Sequence, residues 1–432
     1  MKTAFVTFLG CKVNQYEAEL FIEKLEDNGF VVFPHPEGVD VCIVNTCAVT
    51  AAASRKSRQM IRKLRKMNPD ALVIAVGCYS KEDYQKLEQS GADIVLNNQQ
   101  KNNFMRYIVE DNVKGDFSNQ GNGDSVFLKE TIKCFLTERT RAYVKVQDGC
   151  DQVCSYCLIP SMRGVSIRSK PPELVVQEVK SLVSHGYKEI VFTGINLGRY
   201  GAHMDFNLAT MLKNVDSLTG DFRIRLSSIN VEHITDELLK FIRTAERMCP
   251  HLHIPIQSGS DKILSLMNRH YSVGNARKVF AKLRDMNEHF SITTDIIVGF
   301  PGETLGEFSK TLKFIEESEF SRVHVFKYSS RPNTLASKLS YQIPADEKHR
   351  RTLVTSQLAN EVSYKWRKKN VGKLRHVLVE KKDGDICWGY DEYYVKHEFV
   401  GGRIGNMEPV VVKKVNRSGV VSKNASLQKK MA

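Results

Sequence analysis

The stretch Cys150-Asp151-Gln152-Val153-Cys154-Ser155-Tyr156-Cys157 places three thiols within eight residues, spaced x3 and then x2. It follows the apolar run 143–146, so a loop leaving a strand would aim three sulfurs at one point. Three cysteines leave the fourth iron of a [4Fe–4S] cube without a protein ligand, whereas electron-carrying clusters are usually held by four. Zinc is the rival, but structural zinc takes four ligands, and no fourth Cys or His lies nearby. An open iron is a place for a cofactor or substrate to bind, so the loop predicts a chemically active cluster.

Composition narrows the setting. The 432 residues imply two to four domains, at ~150 residues each. No apolar run approaches the ~20 residues of a membrane helix, and the start, Met1-Lys2-Thr3-Ala4, lacks a secretory h-region. Ten cysteines in such a chain predict a reducing, cytoplasmic setting and metal ligation rather than disulfides. A net charge of +14 points to a polyanionic partner, with a merely basic enzyme as the plainer alternative.

Residues 1–125 alternate apolar runs (4–9, 39–45, 71–76, 93–96) with helical patterns (17–28, 54–66, 81–89, 101–109). That rhythm predicts an open parallel α/β sheet. Cys11, Cys47 and Cys78 each follow one of the first three runs. The carboxyl ends of such strands line the ligand crevice, so three thiols distant in sequence would meet at one edge and form a second three-ligand cluster site. Three unconnected structural cysteines are the alternative; Cys42, inside a run, reads as packing. The helix behind Cys47 carries Arg55, Lys56, Arg58, Arg62, Lys63, Arg65 and Lys66 with no acidic residue between them. It reads either as a solvated face or as a grip on a phosphate backbone.

Residues 115–125 read as a linker. Over 136–365 a β-then-α unit recurs, with strands at 143–146, 189–193, 223–226, 251–256, 292–298 and 323–328. Six units predict an open (β/α)6 partial TIM barrel with its site at the strands' carboxyl ends. Thr193-Gly194-Ile195-Asn196, Ser227-Ser228-Ile229-Asn230, Gln257-Ser258-Gly259 and Gly299-Phe300-Pro301-Gly302-Glu303 would form a polar cradle there. His251 and His253 share one strand face, where a packed or hydrogen-bonded role is expected. A helix at 346–369 ends on Arg367, Lys368 and Lys369, and the short runs 375–380, 393–396 and 409–415 follow. Residues 366–432 hold 15 Lys/Arg against 7 Asp/Glu, predicting a small OB-like β-barrel that grips RNA. Cys134, Cys249 and Cys387 lack cysteine neighbours and are expected to be structural or free.

Assembled, these residues resemble the radical S-adenosylmethionine (SAM) methylthiotransferases over nearly the full length. The likeness rests on Gly10-Cys11-Lys12-Val13-Asn14, Asn45-Thr46-Cys47, Gly77-Cys78-Tyr79, the stretch 148–157, Arg225-Leu226-Ser227-Ser228, His253-Ile254-Pro255-Ile256-Gln257-Ser258-Gly259-Ser260 and the stretch 299–304. The segments 10–19, 45–50 and 55–59 are most similar to the subgroup acting on threonylcarbamoyladenosine in tRNA, and the tail is similar to a TRAM domain. Three positions depart from the pattern: Asn230 stands where a Glu is usual, Asn333 replaces a Gly, and Val165-Ser166-Ile167 interrupt a basic motif.

The resemblance implies two [4Fe–4S] clusters, on Cys150/Cys154/Cys157 and on Cys11/Cys47/Cys78, facing one cavity. It implies SAM at the first, held by Tyr156, Thr193, Gly194, Ser228, Asn230 and Gln257, with Ile297 and Val298 flanking its adenine. SAM would yield a 5′-deoxyadenosyl radical, and the second cluster would hold the sulfur to be transferred. RNA contacts would fall on Arg55, Lys56, Arg58, Arg62, Arg163, Arg168, Arg367, Lys368 and Lys369. The implied reaction adds a methylthio group at C2 of N6-threonylcarbamoyladenosine, 3′-adjacent to the anticodon. Its partners would be the tRNA anticodon loop and a flavodoxin- or ferredoxin-type electron donor, with the enzyme a monomer. The competing readings are methylthiolation of isopentenyladenosine, methylthiolation of a ribosomal-protein aspartate, and a non-catalytic RNA-binding iron–sulfur sensor.

Overall fold

The computed structural model describes residues 2–79, 81–109, 129–133 and 140–425. The linker expected at 115–125 and Cys134 lie outside the described residues.

The first sheet is built from β1 (Thr3–Phe8), α1 (Lys12–Asp27), β2 (Val31–Val32), β3 (Val41–Thr46), α2 (Ala51–Met67), β4 (Leu72–Gly77), α3 (Lys81–Glu88), β5 (Ile94–Leu96) and α4 (Phe104–Val109). Its order is β2-β1-β3-β4-β5, parallel throughout. The sequence pattern had shown four strands; β2 is too short to carry a periodic signal. α1 begins at Lys12 rather than 17, because Gly10 turns the chain at φ +94° and Cys11, extended, serves as N-cap. Lys101, expected on a helix face, is buried in a 3-10 turn before α4.

The second body runs β6 (Arg141–Asp148), α5 (Ile159–Arg163), β7 (Arg168–Ser169), α6 (Pro172–Ser184), β8 (Glu189–Gly194), α7 (Leu208–Asp216), β9 (Arg223–Leu226) and α8 (Asp236–Thr244). It continues with β10 (His251–His253), α9 (Asp261–Leu266), α10 (Val273–Met286), β11 (Ser291–Val298), α11 (Leu305–Glu317) and β12 (Arg322–Lys327). β6, β8 and β9 pair in parallel, as do β10, β11 and β12. The parallel bridges Ile224–Met248 and Ser228–His253 join the two halves. Among the described residues β12 does not pair with β6, so the six-stranded barrel stays open, as the sequence predicts.

Strand alternation sorts its side chains. Val144, Ile190, Phe192, Leu226, Leu252, Ile292, Ile296 and Val298 enter the apolar core, while Lys145, Thr193, Arg225, His253 and Asp295 take the opposite face. This corrects the assignment of Val298 beside a bound adenine. It belongs to the core, whereas Ile297, one residue before, packs with Tyr156, Phe300 and Tyr328.

The tail comprises α12 (Ala345–Lys368), β13 (Leu374–Asp383), β14 (Ile386–Tyr390), β15 (Lys396–Val400), β16 (Met407–Val415) and β17 (Val420–Asn424). The strands close a barrel in the order β13-β14-β15-β17-β16. Of the run 393–396 only Lys396 belongs to a strand, β15, and Tyr394 takes φ +65°. Arg367 is a second correction: it is 9% exposed and donates to the Arg417 carbonyl at 3.4 Å, so it packs α12 against the small barrel. That barrel also docks on the second body. Arg223 donates to the carbonyls of His376 (2.8 Å) and Tyr390 (2.9 Å), and Arg225 to that of Asp391 (3.0 Å). No helix among the described residues is long and apolar enough to cross a membrane.

Candidate iron–sulfur and cofactor site

Cys47 and Cys78 directly follow β3 and β4, while Cys11 comes three residues after β1, beyond the Gly10 turn. These strands are neighbours in the sheet, which brings the three thiols to one edge. A Cβ at Gly10 would stand 2.5 Å from the Cys47 Sγ, so the absence of a side chain there lets two of the thiols converge. Asn14 ties the same loops together. Its Nδ2 donates to the carbonyls of Leu9 (2.9 Å) and Thr46 (2.7 Å), and its Oδ1 accepts from Arg163 Nη2 at 2.8 Å. Two side-chain donors reach Cys78 Sγ: Arg163 Nε at 3.2 Å and Asn98 Nδ2 at 3.6 Å.

The second triad lies in the loop between β6 and α5. Asn196 Nδ2 approaches Cys150 Sγ at 3.9 Å, Arg269 Nη1 donates to Cys154 Sγ at 3.2 Å, and the Ile159 N–H to Cys157 Sγ at 3.4 Å. Arg269 also donates to Gln152 Oε1 (3.1 Å) and Asn230 Oδ1 (2.8 Å), and Gln152 donates to Glu232 at 2.6 Å. Burial pushes Cys47 up to about 11 and Cys157 up to about 12. Thiols that buried become thiolates only with positive charge close by, and Arg163 and Arg269 bring one cation to each group.

The groups are linked by a single short helix. α5 leaves the Cys157 loop, and its last residue, Arg163, crosses to the first sheet. It is fully buried and meets Glu17 (2.9 Å) and Asp148 (3.4 Å) as well as Cys78 and Asn14. Glu17 also pairs with Lys101 (2.5 Å) and Lys145 (2.7 Å), and Lys145 with Asp148 (2.7 Å). Burial alone would raise the Glu17 and Asp148 carboxyls; the surrounding Arg163, Lys101 and Lys145 outweigh it and hold both well below the ordinary range. Arg163 is thus no RNA contact, a third correction. A long cation between two buried carboxylates is paired before any phosphate can reach it.

Residues 3–97 match the Uncharacterized protein family UPF0004, and residues 144–315 the Radical SAM superfamily. The threonylcarbamoyladenosine tRNA methylthiotransferase of Thermotoga maritima is 44% identical over 99% of this chain and 98% of its own length. The chain belongs to the radical-SAM methylthiotransferase family. The tRNA-2-methylthio-N(6)-dimethylallyladenosine synthase of Clostridium botulinum is 32% identical over 95% of this chain and 94% of its own. Among solved structures, the radical SAM methyltransferase TsrM from Kitasatospora setae shares the fold, with TM-score 0.59 at 13% identity over 78% of this chain and 77% of that one.

The donor sets of the methylthiotransferase fit two clusters. Each triad offers three thiols and an arginine N–H aimed at sulfur. Near the second triad, Tyr156 packs edge-on to Phe300 at 6.3 Å. Thr193 is buried, Ser228 exposed, and Gly194 and Gln257 half-buried. Gly194 has no room for a side chain, since a Cβ would sit 2.8 Å from Gln147 Oε1. Asn230 is held between Arg269 and Asn196 (3.4 Å). His251 and His253 both meet Thr293 Oγ1, at 3.1 and 2.9 Å, matching the hydrogen-bonded role expected of them.

On α2 of the methylthiotransferase, Arg55, Lys56 and Arg62 are exposed, whereas Arg58 is half-buried at 3.6 Å from Asp83. Lys368 is exposed, Lys369 pairs with Glu319 at 2.8 Å, and Arg168 donates to the Arg163 carbonyl at 2.7 Å. Sequence reasoning gave no role to Asn14, Glu17, Lys145 or Arg269. Asn14 lies inside the quoted Gly10–Asn14 string, which was its only signal.

These buried charges make the fold acid-sensitive. Burial lowers His251 well below its usual value and His324 to about 4. Between pH ~6.5 and that value the unfolded chain binds protons the folded chain refuses, so stability falls as pH drops. Below ~4.5 the depressed Glu17 and Asp148 act in the same direction, their contribution being lost as they protonate. The urea midpoint is therefore expected to drop between about pH 7 and about pH 5 and again below ~4.5; a midpoint flat down to about pH 5 would refute the histidine contribution.

Proposed function

We propose that this methylthiotransferase acts on tRNA, adding a methylthio group at C2 of N6-threonylcarbamoyladenosine 3′-adjacent to the anticodon. One observation carries the reading: two three-thiol groups, joined through α5 and Arg163, in a chain 44% identical to a relative named for that substrate. Cys11, Cys47 and Cys78 would hold one [4Fe–4S] cluster, and Cys150, Cys154 and Cys157 the cluster that binds SAM. Bound, these groups supply the radical that takes hydrogen from an unactivated carbon and the sulfur that replaces it.

The chain's own residues bind and position. Arg269, Asn196 and the Ile159 N–H steady the Cys150–Cys157 loop, and Arg163, Asn98 and Asn14 steady the other. Ser228, Asn230, Gln257 and Ile297, near the carboxyl ends of β9 to β11, are the cradle assigned to SAM. Arg55, Lys56 and Arg62 on α2 and Lys368 at the end of α12 would track phosphates, while the target adenosine leaves its stack. The proposed units are residues 1–125, the partial barrel 136–365 and the RNA-binding barrel 366–432. A monomer in the cytoplasm, reduced by a flavodoxin- or ferredoxin-type donor, completes the proposal.

Mass spectrometry of tRNA nucleosides from a deletion strain tests it. Loss of the methylthio-threonylcarbamoyl nucleoside, restored by the wild-type gene, is expected. Loss of a methylthio-isopentenyl nucleoside instead would move the assignment to the second substrate, and unchanged tRNA would overturn it.

A further inference from the structure

β12 is the last strand of the open barrel, and its side chains alternate. Val323 and Val325 pack on the apolar core. Arg322, His324 and Phe326 therefore share the opposite, inner face. The register sets Asp295 beside His324 and Ile297 beside Phe326. Asp295 is bracketed by two imidazoles: His253 Nε2 lies 3.2 Å from its Oδ2 and His324 Nδ1 3.5 Å from its Oδ1, with ring centroids 5.7 Å apart. The other nitrogen of His253 meets Thr293 Oγ1 at 2.9 Å.

Two groups of this row are left to face the barrel interior. Phe326 is 44% exposed, a large ring on an inner wall. His324 turns Nδ1 to Asp295, and its Nε2 has no hydrogen bond among the described residues. Burial lowers this imidazole to about 4, so it is neutral and Nε2 accepts a hydrogen bond. An open aromatic face beside a neutral acceptor suits an unstacked nucleobase, which stacks by its π-face and offers N–H groups at its edge. Arg322, exposed at the start of the row, adds a cation for the phosphate backbone.

The row also lies between the two thiol groups. Ile297, the partner of Phe326, packs with Tyr156 of the Cys150–Cys157 loop. Beyond β12, Arg331 donates to Ser54 Oγ on α2 at 3.2 Å. One turn further along α2, Ser57 Oγ accepts from the Cys47 N–H at 3.2 Å. We propose that Phe326 and His324 seat the RNA base that is to be modified, Phe326 stacking on its face and His324 accepting from its edge, with Asp295 and His253 orienting His324. This placement rests on the tRNA reading above.

The test is binding, measured with the cluster-loaded full-length protein and two anticodon stem–loop RNAs. One is intact and the other is abasic at the position 3′-adjacent to the anticodon. Wild type is expected to prefer the intact RNA by roughly tenfold or more, the scale of one base stacked on an aromatic ring. Phe326→Ala should bind both RNAs at the abasic affinity, which also reports intact folding. Phe326→Trp should keep the preference, and His324→Ala should lose part of it. If wild type prefers the intact RNA and Phe326→Ala prefers it as strongly, the base sits elsewhere and the placement is wrong, while the tRNA reading stands. The placement is equally wrong if Phe326→Ala weakens both RNAs alike, or if it keeps the RNA preference and weakens SAM binding instead. Wild type binding both RNAs alike would overturn the placement too. Wild type binding neither RNA would mean that the tRNA reading itself has failed.

Discussion

Cys47→Ala is expected to abolish methylthiolation of tRNA while leaving reductive cleavage of SAM intact. Cys47 is nearly fully buried, one residue past β3, and belongs only to the first triad. Its removal leaves two thiols there, too few to hold a cube that already lacks one protein ligand. The Cys150–Cys157 loop keeps every contact it has, since Arg269, Asn196 and Ile159 belong to the barrel. Iron content should fall by about half, and methylthio product below detection, while 5′-deoxyadenosine continues to form. Loss of both activities, or of neither, would contradict the assignment of separate tasks to the two triads.

Arg163→Ala should cost about 3–5 kcal/mol of stability, the usual penalty for stranding buried charges. Arg163, Glu17 and Lys145 have fully buried side chains, and that of Asp148 is 3% exposed. Removing the guanidinium leaves Glu17 with Lys101 and Lys145, and Asp148 with Lys145 and the more distant Arg168, and deprives Asn14 Oδ1 and Cys78 Sγ of their arginine donor. Arg163→Lys keeps the charge but lacks the planar fork that serves several acceptors at once, so an intermediate loss is expected. Urea unfolding of the cluster-free protein isolates this effect from metal binding. An Arg163→Ala midpoint equal to wild type would show that the network contributes nothing to docking the first sheet on the barrel.

Much of the fold was legible because it is written in local periods. The apolar runs before Cys11, Cys47 and Cys78 and the six β/α units from 143 onward emerged close to where the sequence placed them. The boundaries that moved did so for reasons of backbone geometry, such as the Gly10 turn that lets α1 start at Lys12, or strands as short as β2. The small barrel was harder. Three runs were visible and five strands formed, with Tyr394 at a positive φ where a strand was expected.

Arginines were the least legible. Arg163 and Arg367 sit in basic stretches that read as RNA contacts, yet both are buried, while Arg55, Lys56 and Arg62 on α2 remain exposed. A long side chain's partner is chosen through space, by whichever carboxylate or carbonyl another element brings within reach. Nothing in the neighbouring letters encodes that choice.

Spacing along the chain alone singled out the Cys150–Cys157 loop, the parallel sheet and the open barrel, because loop reach and strand or helix period are properties of consecutive residues. Only the tertiary structure decided that Arg163 bridges the two bodies, that Val298 faces the core, and that Arg225 and Arg141 lie over the Tyr394 ring. Those outcomes depend on which surfaces dock, and docking brings together residues more than a hundred positions apart in the chain.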